Sequence, residues 1–364
     1  GAHIDSPRID VKQNPLYENE ELAYLDTHYY GGIKKYQWVT LPLAIHGVIA
    51  KKDGTIVPVS IGDEEEDPVF VITDLLVHLA SKQLEKKGSV VVEGEKLDFL
   101  IGSRPLEQDP SLDQEEKEAV KANVMELLKK YYDMEEEDFL SAELEIVPAG
   151  KARDCGLDRS MVLAYGQDDR VCAYTALTAE IDTKKPEHTT VTILTDKEET
   201  GSDGNTGLNS DYVLHYIEDL ASMEKVAVRD VLKASLCLSS DVNAAYDPTF
   251  PDVYEARNSS YINKGCVLTK YTGARGKGGS NDASAETMAK VIGIMEDAGV
   301  YWQAGELGAV DAGGGGTIAK FVAHMDVDTV DLGVPILSMH APFELASKLD
   351  VYHTYKAFKA FYAS

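Results

Sequence analysis

Carboxylates and histidines recur in this chain at the ends of apolar, strand-like runs, a pattern suited to gathering metal ligands. Three runs carry it: His188–Thr195 before Asp196-Lys197-Glu198-Glu199, Lys233–Ser240 before Asp241, and Val334–Met339 before His340. Ligands in open α/β sheets bind outside the carboxyl ends of the strands, so side chains delivered there by separate strands converge on one point. Two further candidates are His3, in His3-Ile4-Asp5-Ser6-Pro7-Arg8, and Asp168, in Gly166-Gln167-Asp168-Asp169-Arg170. Two imidazoles and three carboxylates, with one Glu to spare, suffice for a pair of zinc-like ions and a general base.

Glu198-Glu199 is the sharpest element. One carboxylate can bind a metal while its neighbour addresses the metal-bound water, whose pKa the metal lowers; that Glu takes the proton and later passes it to a leaving amine. Alone, the dipeptide also fits an acidic surface turn. Asp168 is preferred over its neighbour Asp169 and over Asp158 in Gly156-Leu157-Asp158-Arg159-Ser160. The stretch Asp169–Ile181 reads as a buried helix, whereas the segment after Asp158 stops at Gly166. A carboxylate at a strand-to-helix junction can bridge two ions about 4 Å apart. His3-x-Asp5 fits a ligand histidine fixed by a second carboxylate. His324-Met325-Asp326 repeats the spacing but ends a helical stretch and reads as structural. Singly, Asp241 is an ordinary strand-end residue and His340 an ordinary core histidine; their occurrence on consecutive strands points to a shared site.

The elements that must position these residues follow from periodicity. Residues 1–40 read as irregular and rich in Pro and Tyr. From about 41 to 62, two alternating runs flank Lys51-Lys52-Asp53-Gly54-Thr55, a hairpin signal. Ser111 to about Tyr132 predicts an amphipathic helix, with Ser111 and Gln114 as a capping box and Val120, Val124, Leu127, Leu128 and Tyr131 on one face. Ala142–Val147 alternates again. From about 150 the pattern is βαβ, with helices expected at 169–181, 210–223, 282–297 (Asn281 or Asp282 as cap, Gly299 as stop), 316–325 and 343–361. The expected fold class is α/β. A catalytic domain with a central mixed β-sheet between helices comes from residues 1–44 and 149–364, and a β-rich domain over 45–148 is inserted into it.

Bulk composition narrows the function. A chain of 364 residues is long enough for one large α/β domain and a second unit. The net charge of -27 argues against nucleic-acid or anionic-membrane partners, which need basic surface. Asp63-Glu64-Glu65-Glu66-Asp67 and Glu135-Glu136-Glu137-Asp138 read as solvated loops or helix ends. Cys155, Cys172, Cys237 and Cys266 lack any Cys-x-x-Cys spacing and read as reduced thiols of a cytoplasmic protein. No run approaches the roughly 18 apolar residues of a membrane span, and no signal peptide is expected. A ligand as early as His3 has no strand before it, which leads to the expectation that the natural chain begins further upstream.

His3-Ile-Asp-Ser-Pro-Arg8, Tyr30-Gly-Gly32, Asp168-Asp-Arg-Val-Cys-Ala-Tyr-Thr-Ala-Leu177, Asp196-Lys-Glu-Glu-Thr-Gly-Ser202, Ser239-Ser-Asp-Val242 and Met339-His340 occur in a familiar order. In these motifs, spread over its whole length, the chain resembles the aspartyl aminopeptidase family. Those dinuclear zinc aminopeptidases include the vacuolar aminopeptidase I type. The resemblance implies His3, Asp168, Glu199, Asp241 and His340 as metal ligands, with Asp168 bridging two divalent ions, zinc first and cobalt or manganese as alternatives. It implies Glu198 as catalytic base and Asp5 as the acidic partner of the first histidine. It further implies that the inserted block is an assembly domain and the particle a large tetrahedral dodecamer. In such a particle His78, in Ile72-Thr-Asp-Leu-Leu-Val-His78-Leu79, reaches a neighbouring subunit's active site and donates to the developing oxyanion. On its own residues, His78 also fits an amphipathic helix beside Leu75, Leu76 and Leu79.

Two departures bear on specificity. Aspartyl-specific members carry His residues shortly after the Ser-x-Asp motif, where this chain reads Val242-Asn243-Ala244-Ala245-Tyr246-Asp247-Pro248. Their substrate-facing lysine is replaced by Thr269 after Lys264-Gly265-Cys266-Val267-Leu268, with Lys270 one position on. Gly313-Gly314-Gly315-Gly316-Thr317 leads into a helix whose N–H groups can hold a substrate carbonyl or carboxylate, or is a flexible helix entry.

The reading is therefore a cytoplasmic, metal-dependent aminopeptidase that removes single N-terminal residues from peptides by a metal-bound hydroxide at a two-metal site. Its rivals are a related di-metal amidohydrolase or carboxypeptidase, and a catalytically silent assembly particle. Turnover of free-amine rather than N-acylated or C-terminal substrates separates the first rival. The complete ligand set argues against the second.

Overall fold

The computed structural model describes residues 1–107 and 118–364. Two compact units emerge, one from Gly1–Ser6 with Ala152–Ser364 and the other from Pro7–Lys151. The chain opens on β1 (Ala2–His3), a strand of the larger unit.

The smaller unit is built from β2 (Arg8–Asn19), β3 (Leu22–Tyr30), β4 (Leu43–Ala50), β5 (Ile56–Ile61), β6 (Val71–Ile72), helix α1 (Ser81–Leu84), β7 (Phe99–Gly102), α2 (Ala119–Tyr132) and β8 (Ala142–Pro148). Its strands form one antiparallel sheet in the order β5-β4-β8-β2-β3-β7-β6. The Asp53-Gly54 hairpin is present, pairing Ala50 with Ile56, and Gly54 takes a φ of 90° that its lack of a Cβ allows. Residues expected to be irregular form the longest hairpin instead. β2 and β3 pair from Arg8↔Tyr30 to Asn19↔Leu22, and the two-residue turn has both Glu20 and Glu21 at positive φ (49° and 61°). β8 then pairs with both β2 and β4, so this unit begins at Pro7 rather than near residue 45. Buried Ile9, Leu25, Leu43, Ile49, Phe99 and Ile146 fill its core. The expected capping box at Ser111 and Gln114 lies outside the described residues. Val120 and Val124 of α2 are buried, but Leu127 and Tyr131 are exposed.

The larger unit continues with β9 (Arg153–Cys155), β10 (Met161–Ala164), α3 (Gln167–Asp182), β11 (Leu194–Thr195), α4 (Tyr212–Glu224), α5 (Val228–Ala234), β12 (Leu236–Ser239) and β13 (Asn243–Ala244). Then come β14 (Cys266–Thr269), α6 (Ala285–Asp297), β15 (Trp302–Ala304), α7 (Ala319–Ala323), β16 (Asp328–Gly333), β17 (Pro335–Leu337), β18 (Glu344–Ser347) and α8 (Lys348–Ala363). The class is mixed α/β, but the strands are shared among three sheets and not gathered into one central sheet. These are β1-β11, β13-β17-β18-β10-β9 and β12-β16-β14-β15. One core cluster joins Ala176 and Ala179 of α3, Val291 and Met295 of α6, and Ala357 and Phe358 of α8 to Leu238, Leu268, Val330 and Leu332 of the four-stranded sheet. Full burial of a side chain such as Phe358 stabilises by about 1.5–3 kcal/mol. A separate cluster holds Leu232, Ile318 and Val322, with Leu214, Ile217 and Phe321 packed on it.

Three helix starts differ from expectation. α6 begins at Ala285, capped by the Ser284 hydroxyl accepting from Thr287 N–H, not by Asn281 or Asp282. Only Ala319–Ala323 of 316–325 is helical. Residues 344–347 form β18 before α8 starts, because they pair on both sides, with β17 and β10. Among the described residues no helix is long and apolar enough to cross a membrane.

Candidate metal centre

The candidate ligands arrive on short pieces of backbone that support one another. β1 runs parallel to β11 with His3 opposite Thr195, and the Gly1 carbonyl accepts from Ser240 N–H at 2.6 Å. Beyond β11, Lys197 (φ 65°) and Gly201 (φ 102°) bracket a single turn, Glu198–Thr200. Asp241 follows β12 by two residues. Asp168 stands at the entry of α3, where it and Asp169 have non-helical backbone (ψ 107° and 22°). His340 follows β17 at a φ of 64°. Gly333 permits the closest approach of the set. A Cβ there would lie 1.8 Å from the Asp241 carbonyl oxygen, so any other residue would push Asp241 away.

These placements bring all five expected ligands and the expected base together. His3 Nε2 lies 3.1 Å from Asp168 Oδ1, 3.8 Å from Asp241 Oδ1 and 4.0 Å from Glu198 Oε2. His340 Nε2 lies 3.3 Å from Asp168 Oδ2 and 3.6 Å from Glu199 Oε2. Two overlapping groups have ligand atoms within 4.8 Å of one another, His3 with Glu198 and Asp241, and His3 with Asp168 and Glu199. Asp5 lies beside His3 and also holds the neighbouring turn. Its Oδ1 is 3.3 Å from His3 Nδ1, while its two oxygens accept from Glu198 N–H and Glu199 N–H, both at 3.1 Å. His78 belongs to the smaller unit, exposed in a short turn, Val77–Leu79, with Leu75, Leu76 and Leu79 exposed beside it; it is no core residue of an amphipathic helix.

The electrostatics call for cations. Burial, with Asp241 adding repulsion, pushes Glu198 up to about 8. Burial and Asp168 push Glu199 up to about 9. Asp241 is raised chiefly by burial. Burial also opposes ionisation of Asp168, but hydrogen bonding with His3 and His340 outweighs it and holds that carboxyl at about 2. Burial works against the charged form of His3, yet Asp168, Asp241 and Asp5 together hold it well above the usual histidine range. Despite the crowding, His3 Nε2 and Glu199 Oε1 are buried without a well-formed hydrogen bond. Buried donor atoms left unsatisfied among repelling carboxylates fit divalent ions, which would take up both the lone pairs and the charge. The donor set of imidazoles and carboxylates with room for solvent suits catalytic zinc. Beside it opens a cleft of ≈ 460 Å³ whose walls include Thr269, Thr272, Gly315, Lys320, Phe321 and Met339.

Two buried acids of the site, Glu344 and Asp331, escaped the sequence reading, and a third, Asp169, entered it only as a rival to Asp168. Glu344 accepts from Asp168 N–H (3.0 Å) and His340 N–H (2.8 Å), and burial raises its carboxyl to about 7. Asp169 accepts from His3 N–H at 3.3 Å. Asp331, also on the cleft wall, is pushed up to about 7 by burial. A lone acid inside the apolar run Pro342-Phe343-Glu344-Leu345-Ala346 was a usable signal, masked by assigning 343–361 to a helix. The Gly313–Thr317 segment does line the cleft in part, but the helix beyond it is a single turn and offers no substantial dipole.

A buried and a half-exposed histidine among clustered acids at strand ends beside a cleft suit a metal-dependent hydrolase. Comparison with known proteins then gives the family. The family profile "Aminopeptidase I zinc metalloprotease (M18)" matches residues 1–362. A probable M18 family aminopeptidase 1 of Clostridium acetobutylicum is 58% identical over 365 residues, covering 99% of this chain and 77% of that protein. The crystal structure of an M18 aminopeptidase from Thermotoga maritima superposes with a TM-score of 0.94 at 48% identity, covering 99% of this chain and 79% of that one. A structure of the S. cerevisiae mApe1 dodecamer shares the fold at 22% identity and a TM-score of 0.75, covering 99% of this chain and 78% of that one. The chain belongs to the M18 aminopeptidase I family of zinc metalloproteases.

Removal of metal makes stability pH-dependent with a definite sign. In the metal-free protein Glu198 and Glu199 have folded values of about 8 and about 9 against an ordinary 4.5, so the folded state holds protons the unfolded chain has lost. Stability then falls as pH rises from 4.5 toward about 8 or 9, and the raised His3 adds to the loss. Asp168, depressed to about 2, acts oppositely, but only below its ordinary 3.8. Chelated protein should melt at a lower temperature near pH 8 than near pH 6, and zinc should flatten the dependence. Thermal melts with and without zinc check this; a metal-free melting temperature that rises over that window would contradict the charge balance.

Proposed function

We propose that this M18 aminopeptidase removes single N-terminal residues from peptides at a two-metal centre, with zinc as the first choice of ion. His3, Asp168 and Asp241 would hold one ion, and Asp168, Glu199 and His340 the other. The observation that carries the reading is Asp168, whose two oxygens face different imidazoles, the posture of a bridging carboxylate. Ions bound there supply Lewis-acid polarisation of the scissile carbonyl and make water acidic enough to attack at neutral pH. Glu198 then acts as base and acid. Its Oε2, 4.0 Å from His3 Nε2, stands at the edge of the ligand set, where it can take the attacking water's proton and deliver it to the leaving amine. Asp5 holds the turn that aims it, through the two backbone N–H groups.

The unit Pro7–Lys151 serves assembly in this reading, and the particle is a tetrahedral dodecamer working in the cytoplasm. The dodecameric S. cerevisiae relative supports it, as does the exposed apolar segment Leu75-Leu76-Val77-His78-Leu79. His78 would then donate to the oxyanion in a neighbouring subunit.

Three outcomes test the proposal. Glu198→Gln should retain both ions and lose turnover by about 10²–10⁴-fold, since it removes proton transfer and no ligand. Asp168→Ala and His340→Ala should lose metal as well. Elemental analysis beside kinetics decides, and near wild-type activity in Glu198→Gln would remove it as the base.

Specificity follows from Thr269, buried on the cleft wall where acid-specific relatives carry lysine. Lys270 is paired with Asp282, and the Lys320 ammonium lies 4.6 Å from the Phe321 ring centre. An acidic substrate side chain beside Thr269 therefore has no lysine at that position, and pairing with Lys320 would require that ammonium to leave the Phe321 ring, so burying the acid there is costly. Leucyl and lysyl chromogenic substrates should give higher kcat/KM than aspartyl or glutamyl ones across added Zn, Mn or Co. The reverse order would show that a lysine does reach the pocket.

His78→Ala should assemble normally and lose about 10²–10³-fold in kcat, the usual worth of an oxyanion donor. Mixed with subunits carrying Glu198→Gln, it should regain part of the activity, because each supplies what the other lacks. Correctly formed mixed particles without any rescue would exclude action in trans.

A further inference from the structure

We propose that Glu344 is a positioning residue that sets the separation of Asp168 and His340, and so selectively governs the ion on the His340 side. The inference rests on the ligand assignment above and extends it to a residue outside the ligand set. Glu344 is 1% exposed and heads β18. That strand lies between β10 and β17, with Glu344 opposite Ala164 and Ala346 opposite Ile336. β10 continues through Gly166 to Asp168, and β17 continues through Ser338 to His340, so Glu344 stands across the ends of both ligand-bearing strands. Its Oε2 accepts from Asp168 N–H at 3.0 Å and its Oε1 from His340 N–H at 2.8 Å. The Gln167 amide donates to the Glu344 carbonyl at 2.6 Å and locks the strand start from the same side.

The clamp matters because the backbone it holds is not self-supporting. Ser338 and His340 both have positive φ, 59° and 64°, a region that side chains other than Gly occupy only when the surroundings impose it. The other half of the centre has its own clamp, since the amides of Glu198 and Glu199 bond to Asp5. Asp168, which would touch both ions, is also held through its carbonyl by the Ser6 hydroxyl at 2.7 Å, so loss of Glu344 should be felt chiefly at the ion on the His340 side. Gln is the informative replacement. It keeps the volume, but its amide offers one acceptor and turns an NH₂ toward the second backbone N–H, donor against donor.

Zinc titration of Glu344→Gln against a competing chelator, with elemental analysis and melts of the chelated protein, tests this. The expected result is the His340-side ion weakened about 10–100-fold, the range for partners that orient metal ligands, with the other ion weakened far less and the metal-free protein melting cooperatively at a somewhat lower temperature. Glu344→Asp keeps the charge but is a methylene too short to span both amides, and should show the same selective weakening. Equal weakening of both ions, or of neither, would overturn the proposal. So would failure of both variants to fold, which would make Glu344 a residue of the fold alone. His340→Ala in the same titration separates the two levels: if it keeps both ions, the ligand assignment fails; if it loses one while Glu344→Gln loses none, only the role of Glu344 falls.

Discussion

Asp168, Glu198, Glu199 and Asp241 face one another across a few ångströms, and among the described residues their ion-pair partners are the imidazoles of His3 and His340. Four carboxylates and two histidines cannot all be comfortable there without added positive charge. Burial, with repulsion among the acids, raises Glu198, Glu199 and Asp241 above their ordinary range, whereas Asp168, between both rings, is lowered. Removing charges from water costs several kcal/mol per ion even after relaxation. Cations bound in this set would offset that cost, so the chemistry and the stability of the larger unit would draw on the same ions.

Holding such a set open requires forces that do not come from the ligands themselves. Two further carboxylates provide them without entering the ligand set. Asp5 takes the two amides of the Glu198-Glu199 turn, and Glu344 takes the amides of Asp168 and His340. Each acceptor bonds two N–H groups on the ligand-bearing backbone, and hydrogen bonds to a charged acceptor are about twice as strong as neutral ones. The cost is more negative charge near the centre, which increases its demand for cations. Acids that repel the ligand charges are acceptable here because they act on the backbone, whose amide dipoles point their positive ends toward them.

The proximity of Glu199, Asp241 and His340 was legible because each follows an apolar run, and runs of that kind end near one another in an α/β fold; His3 and Asp168 follow no such run, and their place beside the others came from motif and resemblance. What sequence reasoning lost was local backbone chemistry. The β2–β3 hairpin turns on Glu20 and Glu21, both at positive φ, where Asn-Gly is the recognisable signal, so 8–30 looked irregular. The run before Glu198 is strand only at Leu194–Thr195, since pairing with β1 supplies just two registered residues. Residues 344–347 have an apolar pattern compatible with helix, and their strand pairing with 161–164 and 336–337 is non-local. Glu344 disappeared into a helix face for that reason. The split into three sheets was equally hidden, because strand partners far apart in sequence leave no trace in periodicity.

His3 shows how a two-residue strand can carry a ligand. A short strand has little pairing of its own and would fray if it stood at an isolated edge. Here its neighbours are the backbones that bear the other ligands. Ala2 N–H and Ile4 N–H bond to the carbonyls of Ile193 and Thr195 just before the Glu198-Glu199 turn, and Ser240 N–H bonds to the Gly1 carbonyl just before Asp241. Gly333, with no Cβ to hold the chains apart, lets the end of β16 close against Asp241. The hydrogen bonds that order β1 therefore also fix the spacing of three ligands. A shift of one of these three pieces moves the other two with it, so His3, Glu199 and Asp241 behave as one body although they are spread from position 3 to position 241.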